Sequence, residues 1–288
     1  MKNEICSQSI FGLNCNLKRA KAVIFGAPYD GTTSYRPGTR FGPRAFRAES
    51  YGFESYSPYL EKDILDLPIY DSGDLDLPFG DKQKTLSMIK ERTAKIYNSG
   101  KMPIMLGGEH LVTLGAVSAA AERFPDLCIL HLDAHADLRD EYIGEKFSHA
   151  TVMRRCHDLI GDGSIFQFGI RSGTVEEFRF AANHTRCRRF DLEGFERVVA
   201  TLSNRPVYVS IDLDVLDPGV FPGTGTPEAG GISFKELLTA IHSLSGSNVI
   251  GADLCELSPT YDPGGISVAA AIKALRELCL TIVKAEQD

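Results

Sequence analysis

Short, compact apolar runs alternate with longer amphipathic stretches over nearly the whole of this chain, and that rhythm restricts what it can fold into. The apolar runs at 22–26, 103–106, 127–132, 164–169, 207–211 and 248–252, with a weaker one near Ile69, are too uniformly apolar for strands with one wet face. They fit strands covered on both faces, the condition of a parallel sheet. Between them, residues 83–98, 110–124, 150–160, 193–202 and 233–244, and finally about 267–284, read as helices. The first has Leu86, Ile89 and Ile96 on one side and stops at Gly100, and the stretch from Ser233 opens with an S-x-x-E capping box completed by Glu236. Strand and helix in alternation predict an α/β fold, one parallel sheet sandwiched by helices. A chain of 288 residues can bury a large core, and with no internal repeat or linker-like composition shift a single domain over 1–288 is expected.

Charge and cysteine content narrow the function classes. The net charge is −7 and neither sign is gathered into a long run. The short basic stretches at 186–189 and 154–155 fall short of the stripe a nucleic-acid partner needs, so no nucleic-acid role is expected. Seven cysteines, an odd number with no CxxC pair, point to neither a disulfide framework nor a thiolate zinc site. The first twenty residues lack the apolar stretch of a secretory signal, and no segment approaches the roughly 18 apolar residues that span a bilayer. A soluble, cytoplasmic protein without a membrane partner is expected.

In open parallel sheets ligands bind beyond the carboxyl ends of the strands. The polar residues directly after the apolar runs are therefore the candidates: Gly107-Gly-Glu-His110, Asp133-Ala-His135-Ala-Asp137, Asp212-Leu-Asp214 and Asp253-Leu-Cys-Glu256. If the extended conformation continues past the strand, period two points Asp133, His135 and Asp137 to one side. Asp212 and Asp214 repeat the device, and His110 brings the set to four carboxylates and two imidazoles. Oxygen and nitrogen donors without thiolate suit manganese, and six are more than one ion needs with a water to spare. Carboxylates crowded into one cleft repel, and divalent cations relieve them. Two ions about 3.5–4 Å apart can share a bridging hydroxide, because bound water has its pKa lowered to about 7. The pattern predicts a hydrolase with a metal-activated water. A lone DxHxD would serve equally as a solvated loop or a set of helix N-caps, but an N-cap needs only one acid and the second acidic pair goes unexplained on that reading.

The remaining motifs are weaker. His149 reads by spacing alone as a helix-start histidine, and alternatively as a general acid or proton shuttle at the mouth of the site. His131 shares parity with Asp133 but lies deeper in its strand, so it is expected in the core or behind the ligands. His157, His184 and His242 fall on helices or loops and receive no role. Pro222-Gly-Thr-Gly-Thr-Pro227 with Gly230-Gly231 lacks the order and lysine of a phosphate loop, and reads as a tight turn beside the pocket. The stretch from Arg36 to Pro43 is either an anion site or a loop leading into a helix with proline near its start.

Taken in order, Gly26-Ala-Pro-Tyr-Asp-Gly31, the 36–43 segment, GGEH, DAHADLRDEYIGEKFSHA, SIDLDVLDP, PGTGTPEAGG and DLCELSPTYD resemble the ureohydrolase family of arginases and agmatinases over nearly the whole chain. DAHxD together with SxDxDxxDP is specific to that family, and the pattern is closest to bacterial and archaeal agmatinases. The resemblance implies a three-layer α/β/α sandwich with a mostly parallel sheet of about eight strands, and a homotrimer or homohexamer. It implies two Mn2+ ions, one held by His110, Asp133, Asp137 and Asp212 and the other by Asp133, His135, Asp212 and Asp214, with Asp133 and Asp212 bridging. His149 maps onto the family's catalytic histidine and Glu256 onto its guanidinium-binding acid. The mechanism expected is attack of a bridging hydroxide on a guanidinium held by Glu256, with Asp137 relaying the proton and His149 supporting transfer.

For the substrate, the loop after DAHxD (138–148) lacks the Ser/Asn set that holds the amino-acid carboxylate in arginases and resembles that of agmatinases. Its three acids, Asp140, Glu141 and Glu145, would favour a cationic tail. Agmatine, cut to putrescine and urea in polyamine synthesis, is the expected substrate. Arg139 is a potential carboxylate partner and keeps other tails in view: guanidinobutyrate, arginine, aminopropyl-agmatine or formiminoglutamate. A deacetylase-like hydrolase, typically with one metal, and a non-catalytic binding protein are the more distant alternatives.

Overall fold

A computed structural model describes residues 9–202 and 204–285; Cys6 lies outside the described residues. In chain order the elements are β1 (Ala22–Ala27), α1 (Gly42–Ser50), β2 (Tyr56–Ser57), β3 (Lys62–Asp63), β4 (Ile69–Asp74), α2 (Lys82–Asn98), β5 (Met102–Gly107), α3 (Val112–Arg123), β6 (Cys128–Leu132), α4 (Val152–Ile160), β7 (Ile165–Ile170), α5 (Val175–His184), β8 (Arg186–Arg189), α6 (Phe195–Thr201), β9 (Val207–Asp212), α7 (Phe234–Ser243), β10 (Val249–Cys255) and α8 (Ile266–Ile282). Eight of the strands form one sheet in the order β4-β1-β5-β10-β9-β6-β7-β8, and β2 with β3 makes a separate two-stranded ribbon. Every pairing in the large sheet is parallel. The expected α/β/α sandwich with about eight strands is what forms.

The uninterrupted apolar runs are explained by burial on both faces. Along β1, Ala22 and Ile24 join one core while Val23, Phe25 and Ala27 join the other, and along β9 Val207, Val209 and Ile211 oppose Tyr208. Phe46 of α1, Phe195 of α6, Leu237 of α7 and Leu275 of α8 cover the first face. Ile89 of α2, Val117 of α3, Cys156 of α4 and Ala181 of α5 cover the second. The six described cysteines are free thiols, four of them buried. Besides the two-residue strands β2 and β3, an edge strand and a helix went unread in the sequence. The edge strand β8 is Arg-Cys-Arg-Arg, largely exposed, and carries no apolar run. Helix α5 carries only Glu177 and Ala181 as fully buried residues, although its Thr174–Glu177 capping box was a legible start signal.

The four central strands of the sheet, β5, β10, β9 and β6, are those followed by GGEH, DLCE, DLD and DAHAD. Parallel pairing puts all four carboxyl ends on one edge, so segments separated by up to about 150 positions open into one cleft.

Candidate metal centre

The chain leaving β6 bends at Ala134 but pairs again at His135, which forms a parallel bridge with Ser172, so Asp133 and His135 share a side as period two requires. Asp137 then takes left-handed backbone, φ 55°, and is carried to the cleft by a turn rather than by continued extension. After β9 the device also differs from simple alternation. Residues Leu213–Val215 form a 3-10 turn whose first amides are capped by Asp212, with Asp214 N donating to Asp212 Oδ1 at 2.9 Å.

All six candidate ligands meet. His110 Nδ1 lies 3.1 Å from Asp133 Oδ2, 3.1 Å from Asp137 Oδ2 and 3.3 Å from Asp212 Oδ2. His135 Nδ1 lies 3.1 Å from Asp214 Oδ2 and 3.5 Å from Asp133 Oδ1. Asp133 thus offers one oxygen to each imidazole and stands between two donor sets. Burial would push both imidazoles down, yet the facing carboxylates raise His110 and His135 well above the ordinary value. Burial first, then Asp133, raises Asp137 to about 7, and burial with Asp214 and Asp133 raises Asp212. The field in this cleft therefore favours positive charge strongly.

The residues behind the donors fix their tautomers. Ser210 Oγ donates its single proton to Asp253 Oδ1 at 2.8 Å, so it can only accept from His110 Nε2, 2.9 Å away. Thr113 Oγ1 donates to the other oxygen of Asp253 at 3.0 Å. In the neutral ring His110 Nδ1 then carries the lone pair, fully buried and aimed at three carboxylates, which without a cation hold a proton there. A divalent cation fits that donor set, since it can take the place of the proton between this lone pair and the acids. His131 is the opposite case. Gln167, oriented by Thr185, donates to His131 Nδ1 at 3.1 Å, so His131 Nε2 carries the proton given to Asp133 Oδ2 at 2.8 Å. It supports Asp133, as its depth in the strand suggested.

His149 and Glu256 line the same cavity, of about 190 Å³, together with His110, His135, Asp137, Asp212, Ser34, Arg139, Tyr142, Ser172, Glu177 and Thr226. A larger groove of about 850 Å³ between the 191–197 and 233–240 segments has acids but no histidine in its lining, and among the described residues its acids form no metal-binding group. Glu256 also takes left-handed backbone, φ 65°, and its Oε1 accepts from His110 N at 2.8 Å. Burial, then Asp214 and Glu109, raises its carboxyl well above the usual range. The His149 ring stands edge-on to Tyr142 at 5.7 Å, with Nδ1 3.4 Å from Thr32 Oγ1 and Nε2 3.4 Å from Ser34 Oγ. Burial, then the charge of His135, lowers it to about 4. Glu109 anchors this wall: it accepts from Thr32 N at 2.8 Å and Thr32 Oγ1 at 2.6 Å.

One expectation needs correction. The three acids of the 138–148 loop do not line the cavity. Asp140 pairs with Arg155 at 2.7 Å and Glu145 with Lys82, because those cations lie on helices packed outside the loop. The carboxylate that the wall gains is Glu177 of α5, which sequence reading missed with its helix. Arg139 does face the cavity, but its Nε lies 3.5 Å from Glu177 Oε2 and its guanidinium 4.8 Å over the Tyr142 ring. The 222–227 turn sits beside the pocket as expected, with Thr226 Oγ1 3.3 Å from Asp214 Oδ2. The 36–43 segment leads into α1 with Pro43 in its first turn, and Arg40 is paired with buried Asp30.

Set beside known proteins, residues 20–281 match the profile of the arginase family. An agmatinase of Bacillus anthracis is 49% identical over 93% of this chain and 94% of its own length. An N(1)-aminopropylagmatine ureohydrolase of Thermococcus kodakarensis is 40% identical over 88% of each. The crystal structure of agmatine ureohydrolase of Thermoplasma volcanium superposes with a TM-score of 0.86 at 34% identity, covering 95% of this chain and 94% of that one. The chain belongs to the arginase family. It is an enzyme, a hydrolase of the ureohydrolase kind, and its His/Asp cluster has the composition to bind metal. Among the described residues no helix is long and apolar enough to cross a membrane.

Proposed function

We propose that this chain, working as one domain over residues 1–288, hydrolyses agmatine to putrescine and urea with two manganese ions. The observation that carries the reading is the pair of donor sets sharing Asp133 at the floor of a cleft whose wall holds Glu256 and His149. His110, Asp133, Asp137 and Asp212 would hold one ion, and Asp133, His135, Asp212 and Asp214 the other. When bound, such a pair supplies a nucleophilic water at neutral pH and polarises the group it meets.

The chain's own residues do the rest. Glu256, whose buried carboxyl is costly to ionise alone, regains its charged form beside a guanidinium and orients that plane by charge-assisted hydrogen bonds. As the guanidinium carbon gains the water oxygen and loses its bond to the aminoalkyl nitrogen, that nitrogen needs a proton. Asp137 faces the reaction floor and relays it, and His149 at the mouth exchanges protons with solvent through the Thr32 and Ser34 hydroxyls. Glu177 in the outer wall pairs with Arg139 and so offsets the cation that would otherwise hold a carboxylate tail.

Sequence likeness to agmatinases supports this substrate, while Arg139 in the wall is the observation that favours an acidic tail instead. Its engagement by Glu177 and Tyr142 speaks for agmatine. The family likeness also supports a cytoplasmic homotrimer or homohexamer. Urea release from agmatine, arginine, guanidinobutyrate, aminopropyl-agmatine and formiminoglutamate with added manganese is the test. Agmatine is expected to turn over fastest; far faster release from arginine or guanidinobutyrate would overturn the substrate, and one tightly bound ion per chain the two-metal centre.

A further inference from the structure

Parallel strands give the sheet two unlike ends, and the end opposite the cleft carries its own cluster of donors. His157 lies in the last turn of α4, Asp162 in the turn that leads into β7, and His184 closes α5 just before the edge strand β8. His157 Nε2 and His184 Nδ1 each stand 2.7 Å from one and the same oxygen, Asp162 Oδ1. The rings are held in place by apolar packing. Phe180 stacks on His184 at 4.2 Å and meets His157 edge-on at 4.9 Å, and the Arg154 guanidinium covers Phe180 at 3.8 Å.

We propose that His157, Asp162 and His184 form a second metal site, for a divalent ion of the zinc type, separate from the cleft. Two imidazole nitrogens and one carboxylate oxygen supply three positions of a tetrahedron and leave the fourth to water. Imidazole-rich sites of this kind take zinc, nickel or copper in preference to manganese or magnesium. Both imidazoles face Asp162 Oδ1 and one ligand atom of each of the three residues lies within 4.8 Å of the others, so an ion at Zn–N distances of about 2.0–2.1 Å fits once that oxygen steps back by roughly half an ångström. Asp162 is mostly exposed and free to make that shift. The carboxyl ends of α4 and α5 both lie at the cluster, and the partial negative charge of helix C-termini favours a cation there. His157 Nδ1 is buried with no hydrogen-bond partner, a cost that holds the affinity to a moderate level. The consequence is structural: an ion would tie the ends of α4 and α5 to the start of β7, beside β8, the polar edge strand with the least core of its own.

Equilibrium dialysis of the full-length, manganese-loaded protein against Zn2+ tests this, with His184→Asn and Asp162→Asn beside the unaltered chain. Zinc exchanging into the cleft adds equally to all three, so the expected result is about one equivalent fewer in each variant. An anomalous-scattering peak at the zinc edge is expected between the three side chains. The unfolding midpoint of the unaltered protein should rise by roughly 5 °C at about 100 times Kd, with no such rise in the variants beyond what the cleft contributes. Urea release is expected to stay the same in all three. Equal zinc counts in the three proteins, or no peak between the side chains, would show a triad held by protons alone and overturn the site; if one variant fails to fold, the other decides.

Discussion

Ser210 has a single hydroxyl proton, and giving it to Asp253 determines which nitrogen of His110 faces the acids. Replacing Ser210 with Ala removes the acceptor for His110 Nε2–H and leaves that ring free to take the wrong tautomer. The expected outcome is a loss of metal affinity of about 10–100-fold with the fold intact, read by metal titration followed by activity at saturating manganese. Asp214→Ala, which removes a donor itself, is expected to lose an ion and activity together, as counted by bound manganese per chain. His149→Ala should separate the two, keeping both ions and losing most turnover; unchanged turnover would remove His149 from the mechanism. Single residues also show where reading the sequence stopped. Asp133, His135, Asp212 and Asp214 were legible because they directly follow buried strands. Ser34 and Glu177 reach the same cavity, and Thr32 holds His149 there, from a distant loop and a weakly marked helix with no local pattern to announce it.

Among the elements, the turn after β5 shows how closely the strand ends must approach. A Cβ on Gly108 would lie 2.0 Å from the carbonyl oxygen of Tyr29, on the segment leaving β1. That contact is backbone against backbone and cannot yield by a rotamer change. Gly108→Ala is expected to cost about 3 kcal/mol or more in urea denaturation and to weaken metal binding, since the same turn delivers Glu109 and His110. Strands with two buried faces announced themselves by composition, which is why the six inner strands of the large sheet were readable and the edge strand β4 only weakly, at Ile69. The eighth, β8, pairs at the edge with exposed arginines, and edge position is a property of the sheet that no local window contains. Period two held for Asp133 and His135, where the ladder resumes, and gave way at Asp137 and Asp214, where a left-handed residue and a 3-10 turn intervene.

Across the whole molecule, Glu277 of α8 is a buried acid that links separate parts of one face. It accepts from His242 of α7 at 2.9 Å, from Ser57 of the β2–β3 ribbon at 2.8 Å and from Arg276 at 2.7 Å. Burial alone would raise its carboxyl, but these partners outweigh burial and hold it below the ordinary value of 4.5. A carboxyl lowered by folding adds stability that is complete above its unfolded value and is lost as pH falls through the folded one. Glu277→Gln is therefore expected to cost about 3 kcal/mol at pH 7 and to flatten the decline in stability below about pH 4.5, read as urea midpoints at neutral and acid pH. His242, without a role in the sequence reading, acquires a structural one here. By itself the sequence determined the layered α/β architecture and the residue types gathered at the strand ends, because burial on two faces and donor chemistry are written in composition over short windows. The tertiary structure alone decided which carboxylates share an imidazole, which tautomer each histidine holds, and that Glu177 rather than the loop acids enters the wall. Those outcomes depend on distances between segments far apart in the chain, set by strand order and helix packing.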